Sequence, residues 1–192
     1  MLSDVNLKGF NFLIYHGRFD SGKIREQIEE IKHTAEFLVC PFLTFSEIIL
    51  DDELANKSES LKEFTKLTCD TGLKGFCGVN LIYCGVKQVS AVVTAGCELV
   101  DIASKTIDFD RAGVALGDKI KTYKTKNGVI GLLLDTDCLI EQYWQILKDS
   151  CDLVLIISKT PSELIKQDIR HSSGVYNLPY LYVDGSGIEY RD

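Results

Sequence analysis

GVIGLLLDTDCLIEQYWQIL, residues Gly128 to Leu147, decides how the rest of the chain is read. Its first half is an apolar run of the kind that forms a strand covered on both faces. Its second half, LIEQYWQIL, has the spacing of an amphipathic helix. Between the two stand Asp135, Thr136, Asp137 and Cys138. In open α/β sheets ligands gather at the carboxyl ends of strands, so this junction is the first place to look for chemistry. Three readings fit: a catalytic elbow, a magnesium site on Asp135 and Asp137, or a strand end whose Asp137 caps the helix by accepting from its free amides. Magnesium sites usually engage phosphates as well, and no glycine-rich phosphate loop precedes a helix. HGRFDSGK (His16–Lys23) lacks the glycine spacing and the Ser/Thr after its lysine. On spacing alone, capping is the expected role of Asp137.

Outward from this junction, buried strands alternate with helices. FNFLIYH (Phe10–His16) reads as a strand, and SGKIREQIEEIKHTA as a helix with Ser21 as N-cap and Ile24, Ile28 and Ile31 on one face. FLVCPFLTF is a strand whose pairing Pro41 ends. DDELANKSE reads as a polar loop, and SLKEFTKLTCDTG as a helix stopped by Gly72. KGFCGVNLIYCG, QVSAVVTAG and CELVDIAS are consecutive strands turning at Gly85 and Gly96. A loop holding ALGDKIKTYKTKNG leads to the opening strand, then DLVLIIS forms a strand and PSELIKQDIRHSS a helix with proline in its first turn. The consecutive strands make a mixed sheet, and no linker divides residues 1–192, so one α/β domain is expected.

The composition agrees. A chain of 192 residues can bury a sizeable core, and its 45% hydrophobic and 26% charged content is that of a globular protein. The net charge of −7, with no lysine or arginine cluster, argues against a nucleic-acid partner. The start, MLSDVNLKGFNFLIYHG, has no basic segment and an apolar run too short for a bilayer, so no membrane is expected and a cytoplasmic location is. The seven cysteines are odd in number and show no C-x-x-C spacing, so reduced, mostly buried thiols are expected. His16, His33 and His171 lie far apart and suggest neither a metal cluster nor a Ser-His-Asp set.

Taken in order, several stretches resemble the nitrilase superfamily of carbon–nitrogen hydrolases, over nearly the whole chain. AEFLVCPFLTFSE is similar to the family's "adlvvfPElfltgy", and QVSAVVTAGCELVDIASKTIDFD to "Nsavvi…dGeilgvyrKthLfd". ALGDKIKTYKTKNGVIGLLLDTD follows the stretch through "fG.vGvlICyD", CDLVLIISKT resembles "gADlllvPsa", and NLPYLYVDGSG resembles "glPvvyvNqvG". The resemblance implies an α-β-β-α sandwich with mixed sheets, C-terminally truncated because the family's chain continues beyond this point. It also implies catalysis by a cysteine nucleophile, a glutamate base and a lysine that stabilises the oxyanion.

Carried over residue by residue, the lysine is Lys105, but Phe42 stands at the glutamate position and Asp135 at the cysteine position. Asp137, the family's acid after the nucleophile, is retained. Cys138, three residues on, and Glu47, five residues past Phe42, offer an alternative site only if both segments shift register. The expected protein is therefore a pseudoenzyme that binds or interacts, the alternative being an amidase- or nitrilase-type hydrolase of C–N bonds with a rebuilt site. No cofactor or metal is implied. A homodimer or larger oligomer and a small amide or carboxylate ligand are.

Overall fold

Strict alternation within the strands sets the layering. In the run Gly128–Leu134, Ile130, Leu132 and Leu134 point to one cluster, whereas Leu133 joins another on the opposite face. Leu153, Leu155 and Ile157 likewise point one way, and Val154 and Ile156 the other. Both faces of these strands are thus covered, one by a second sheet and one by helices. The computed structural model describes residues 1–31, 34–42, 44, 47–108 and 113–192.

The first sheet contains β1 (Leu2–Leu7), β2 (Phe10–Tyr15), β3 (Phe37–Cys40), β4 (Ile48–Ile49), β5 (Lys74–Tyr83), β6 (Val86–Ala95) and β7 (Glu98–Ser104). Its strand order is β1-β2-β3-β5-β6-β7, with the short β4 on β5. The second contains β8 (Lys121–Thr125), β9 (Gly128–Leu134), β10 (Leu153–Ile157), β11 (Tyr180–Val183) and β12 (Ile188–Arg191), in the order β12-β11-β10-β9-β8. Both sheets are mixed: β2–β3–β5 and β9–β10–β11 are parallel, and hairpins add the outer strands antiparallel.

Between the sheets lie Phe10, Phe12, Phe37 and Phe76 with Leu132, Leu155 and Leu181. Helices α1 (Ser21–Ile31) and α3 (Ser60–Thr71) cover the first sheet through Ile24, Ile28, Phe64 and Leu67. Helices α4 (Glu141–Lys148) and α5 (Glu163–Tyr176) cover the second through Trp144, Leu147 and Ile169. The result is an α-β-β-α sandwich. Removing one central side chain, as in Leu155→Ala, costs about 2–5 kcal/mol by loss of burial and the cavity left. Among the described residues no helix is long and apolar enough to cross a membrane.

Several local readings are corrected. The loop before β9 holds β8, and the polar loop after β4 opens with the short helix α2 (Leu50–Leu54). The N-cap of α1 is Asp20, whose Oδ1 accepts from Lys23 N at 3.0 Å, because Ser21 already lies inside the helix. Ile31 shares the face of Ile24 and Ile28 but, as the last residue of that helix, is 41% exposed. Ser162 caps α5, which leaves Pro161 outside the first turn. Cys69 and Cys97 form a disulfide, because the last turn of α3 packs over the β6–β7 turn and brings their Cα atoms to 4.4 Å. His33 lies outside the described residues.

Candidate functional site

The carboxyl ends of β7, β9 and β10 meet at one edge of the sandwich. Here β9 ends at Leu134 and the chain turns sharply through a 3-10 turn, Asp135–Leu139. Asp135 takes the left-handed region at φ 53°, unusual for a residue with a side chain. Lys105 directly follows β7; its N–H donates to Val89 O at 2.8 Å and its carbonyl accepts from Gly117 N at 2.8 Å. Gly117 lies so close that a Cβ there would sit 2.6 Å from Ser104 O, which fixes the loop against the strand end.

These two supports aim Lys105 at the elbow. Its Nζ lies 3.1 Å from Asp135 Oδ2, with Lys105 2% and Asp135 5% exposed. The other carboxylate oxygen, Oδ1, accepts from Ser158 Oγ and Lys159 N, both at 3.3 Å, at the end of β10. Both oxygens of Asp135 are thus engaged inside the protein.

Asp137 has a different task from the expected helix cap. Its carboxylate accepts from Thr106 N at 3.0 and 3.1 Å and from Ile107 N at 3.1 Å, so it holds the loop after Lys105 rather than α4. Ile140, which precedes α4, provides no side-chain cap. Burial pushes the Asp137 carboxyl up to about 6, against the opposing pull of the Thr106 and Ile107 amides. Asp135 and Asp137 therefore face different partners and do not form the joint cation site considered from their spacing. Among the described residues no group of three His, Cys, Asp or Glu side chains is arranged to hold a metal ion.

Phe42 is 1% exposed and belongs to the core between the sheets. Its ring rests on Gly78, where a Cβ would come within 2.8 Å of Phe42 Cδ2 and 2.9 Å of Ile157 Cγ2. Only glycine leaves that space, so β5 is shaped to receive the ring.

Cys138 sits in the elbow's 3-10 turn, one element before the expected helix position. It is fully buried with Leu133, Trp144 and Tyr182 on the outer face of the second sheet. Its Sγ donates to Asp135 O at 3.0 Å, and burial together with the Asp135 and Asp137 charges pushes the thiol far up. Glu47 is on the surface, 3.3 Å from Lys87 Nζ. It borders a hollow of about 70 Å³ whose walls include Asn80, Gln88, Val114 and Lys159. The structure brings Lys105 and Asp135 together and turns Cys138 and Glu47 elsewhere. Ser158 was missed in the sequence; a serine closing the apolar run of β10 at the same sheet edge was the signal.

No protein-family model matches the sequence, and no curated protein does. Solved structures do. The carbon–nitrogen hydrolase of Helicobacter pylori G27 superposes with a TM-score of 0.70 at 15% identity, over 92% of this chain and 77% of that one. Saccharomyces cerevisiae Nit3, a member of the nitrilase superfamily, gives 0.70 at 13% identity, over 85% and 67%.

The chain has the nitrilase fold.

The amidase of Nesterenkonia sp. AN1 shares it as well, with a TM-score of 0.67 at 11% identity over 93% and 80% of the two chains. In a glutamate-to-glutamine mutant of that amidase acrylamide has added to the active-site cysteine. The likeness is one of architecture: two mixed sheets between helix layers.

Proposed function

We propose that this nitrilase-fold chain is a non-catalytic protein, a pseudoenzyme that binds or interacts rather than hydrolyses. The buried pair of Lys105 and Asp135, 3.1 Å apart at the elbow, carries this reading. Hydrolysis of the kind the resemblance implies needs a thiolate to attack, a base to take its proton and an ammonium free for the oxyanion. A carboxylate is a much weaker nucleophile than a thiolate, and here it also takes up the charge meant for the oxyanion. Phe42 brings no base.

A rebuilt hydrolase site on Cys138 and Glu47 finds little support. The thiol faces the helix layer with its ionisation suppressed, and the carboxylate pairs with Lys87 at the surface. For the ligand we propose a small amide or carboxylate. The hollow beside Lys159 is lined by Asn80 and Gln88, residue types whose carboxamides can pair with either group.

Thiol reactivity tests the proposal. Native protein treated with iodoacetamide and mapped by peptide mass spectrometry will label the exposed Cys84 and leave Cys138 unlabelled. Labelling of Cys138 ahead of Cys84 would reveal an activated nucleophile and overturn it.

A further inference from the structure

At the end of the sandwich opposite the elbow lies a hollow of about 460 Å³. That volume falls within the roughly 300–1,000 Å³ usual for small-molecule sites. It sits at the amino ends of β10 and β11, where Asp152 and Pro179 directly precede the strands. The buried Phe10 and Leu178 give it an apolar wall. Three cations share the lining: Lys8, Lys148 and Arg191. They belong to the β1–β2 turn, the last residue of α4 and the last residue of β12, so only the folded chain brings them together.

Among the described residues Lys8 and Lys148 make no ion pair or side-chain hydrogen bond, and the Arg191 guanidinium makes one long contact, Nη1 to Arg170 O at 3.5 Å. Helices α4 and α5 both end at the hollow, where cations are favoured, but backbone amides already take up carbonyls of their last turns. Leu147 O accepts from Ser150 N at 3.0 Å and Cys151 N at 2.8 Å, and Ser173 O accepts from Leu178 N at 3.1 Å. The place of Lys8 is fixed. Lys8 and Gly9 take φ 49° and 82°, as a two-residue hairpin turn requires, and Asn127 Nδ2 donates to Gly9 O at 2.8 Å. Two acids also line the hollow. Asp152 is engaged elsewhere, its Oδ2 accepting from Val129 N at 2.8 Å, and the exposed Asp192 opposes the cations.

We propose that this hollow binds a small organic phosphate, a phosphate monoester with an apolar part of about ring size. Three cations against two acids leave positive charge over, and one of those acids is already turned to β9. A phosphate monoester offers three terminal oxygens and up to two negative charges, enough for two ammonium groups and a guanidinium fork. A carboxylate, with two oxygens and one charge, matches three donors less well. The apolar part of the ligand lies against Phe10 and Leu178. No residue of the elbow lines this hollow, so the assignment is independent of whether the elbow is catalytic.

Equilibrium dialysis of the full chain against phenyl phosphate tests it, with inorganic phosphate and phenol as the separate halves of the probe. Phenyl phosphate is expected to bind saturably with a Kd below about 1 mM, inorganic phosphate at least about fivefold more weakly, and phenol not at all. Lys8→Gln, Lys148→Gln and Arg191→Gln are each expected to raise the phenyl phosphate Kd at least about fivefold. Asp192→Asn, which removes the opposing charge, is expected to lower it. Circular dichroism will confirm that these surface variants stay folded. No saturable binding by the wild type, a Kd indifferent to all three cation substitutions, or inorganic phosphate bound as tightly as phenyl phosphate would each overturn the proposal.

Discussion

Asp135 holds a backbone conformation that L-residues avoid at a cost of about 1–2 kcal/mol, although aspartate tolerates it better than most. It is held there by Lys105 on one oxygen and by Ser158 and Lys159 on the other. Asp135 was legible in the sequence because it closes the apolar run of β9, whereas Lys105, after the largely exposed β7, was singled out by the family resemblance. The partner of Asp137 was not: its donors, Thr106 and Ile107, lie about thirty residues away, and spacing rules see only the adjacent helix. The raised carboxyl of Asp137 makes a prediction about pH. Its folded value of about 6 lies above the ordinary carboxylate range, so between about pH 4 and 6 the folded chain holds a proton that the unfolded chain has lost. Stability from this group is therefore greatest below pH 4, falls as pH rises through that window, and levels off above 6. The total is on the order of 3 kcal/mol. Asp137→Asn keeps an acceptor for the amides, and the difference in unfolding free energy between the two proteins should follow that curve. A difference that stays constant from pH 4 to 7 would contradict the assignment.

Elements with a strong apolar signal were read correctly, and those without one were missed. β9 and β10 announce themselves because both their faces are buried. β8, KTYKT, has one large apolar side chain, Tyr123, whose ring packs edge-on against Phe76 at 5.4 Å; the rest of the strand is polar and half-exposed. Only its pairing with β9 reveals it. The bond between Cys69 and Cys97 was hidden for a similar reason, since α3 and the β6–β7 turn approach only in the folded chain. It closes a loop over a separation of 28 residues, worth roughly 3–4 kcal/mol on the loop-entropy account. Cys69→Ser is expected to lower the unfolding free energy by that amount, and mild reductant to have the same effect on the wild type. Protein unfolded without reductant should then expose five thiols, the free Cys40, Cys77, Cys84, Cys138 and Cys151. Seven would show the bond absent and favour the reducing, cytoplasmic setting first expected.

At the scale of the molecule, the sandwich could be expected from order and spacing even though no single stretch resembles the family strongly. Layering depends on which faces are apolar, and many sequences meet that demand; solved nitrilase-fold chains at 11–15% identity share it. Chemistry depends on a few side chains, and the proposed function rests on the resemblance that sets Phe42 and Asp135 where a glutamate and a cysteine are expected. The central claim is that Lys105 and Asp135 form a buried internal ion pair instead of half a reactive site. A double-mutant cycle of Lys105→Met and Asp135→Asn, read by denaturant unfolding, tests it most directly. Each single substitution should destabilise by about 3–5 kcal/mol, because it breaks a buried ion pair from one side, and the double variant should recover most of that loss. Single effects that simply add in the double variant would contradict the account.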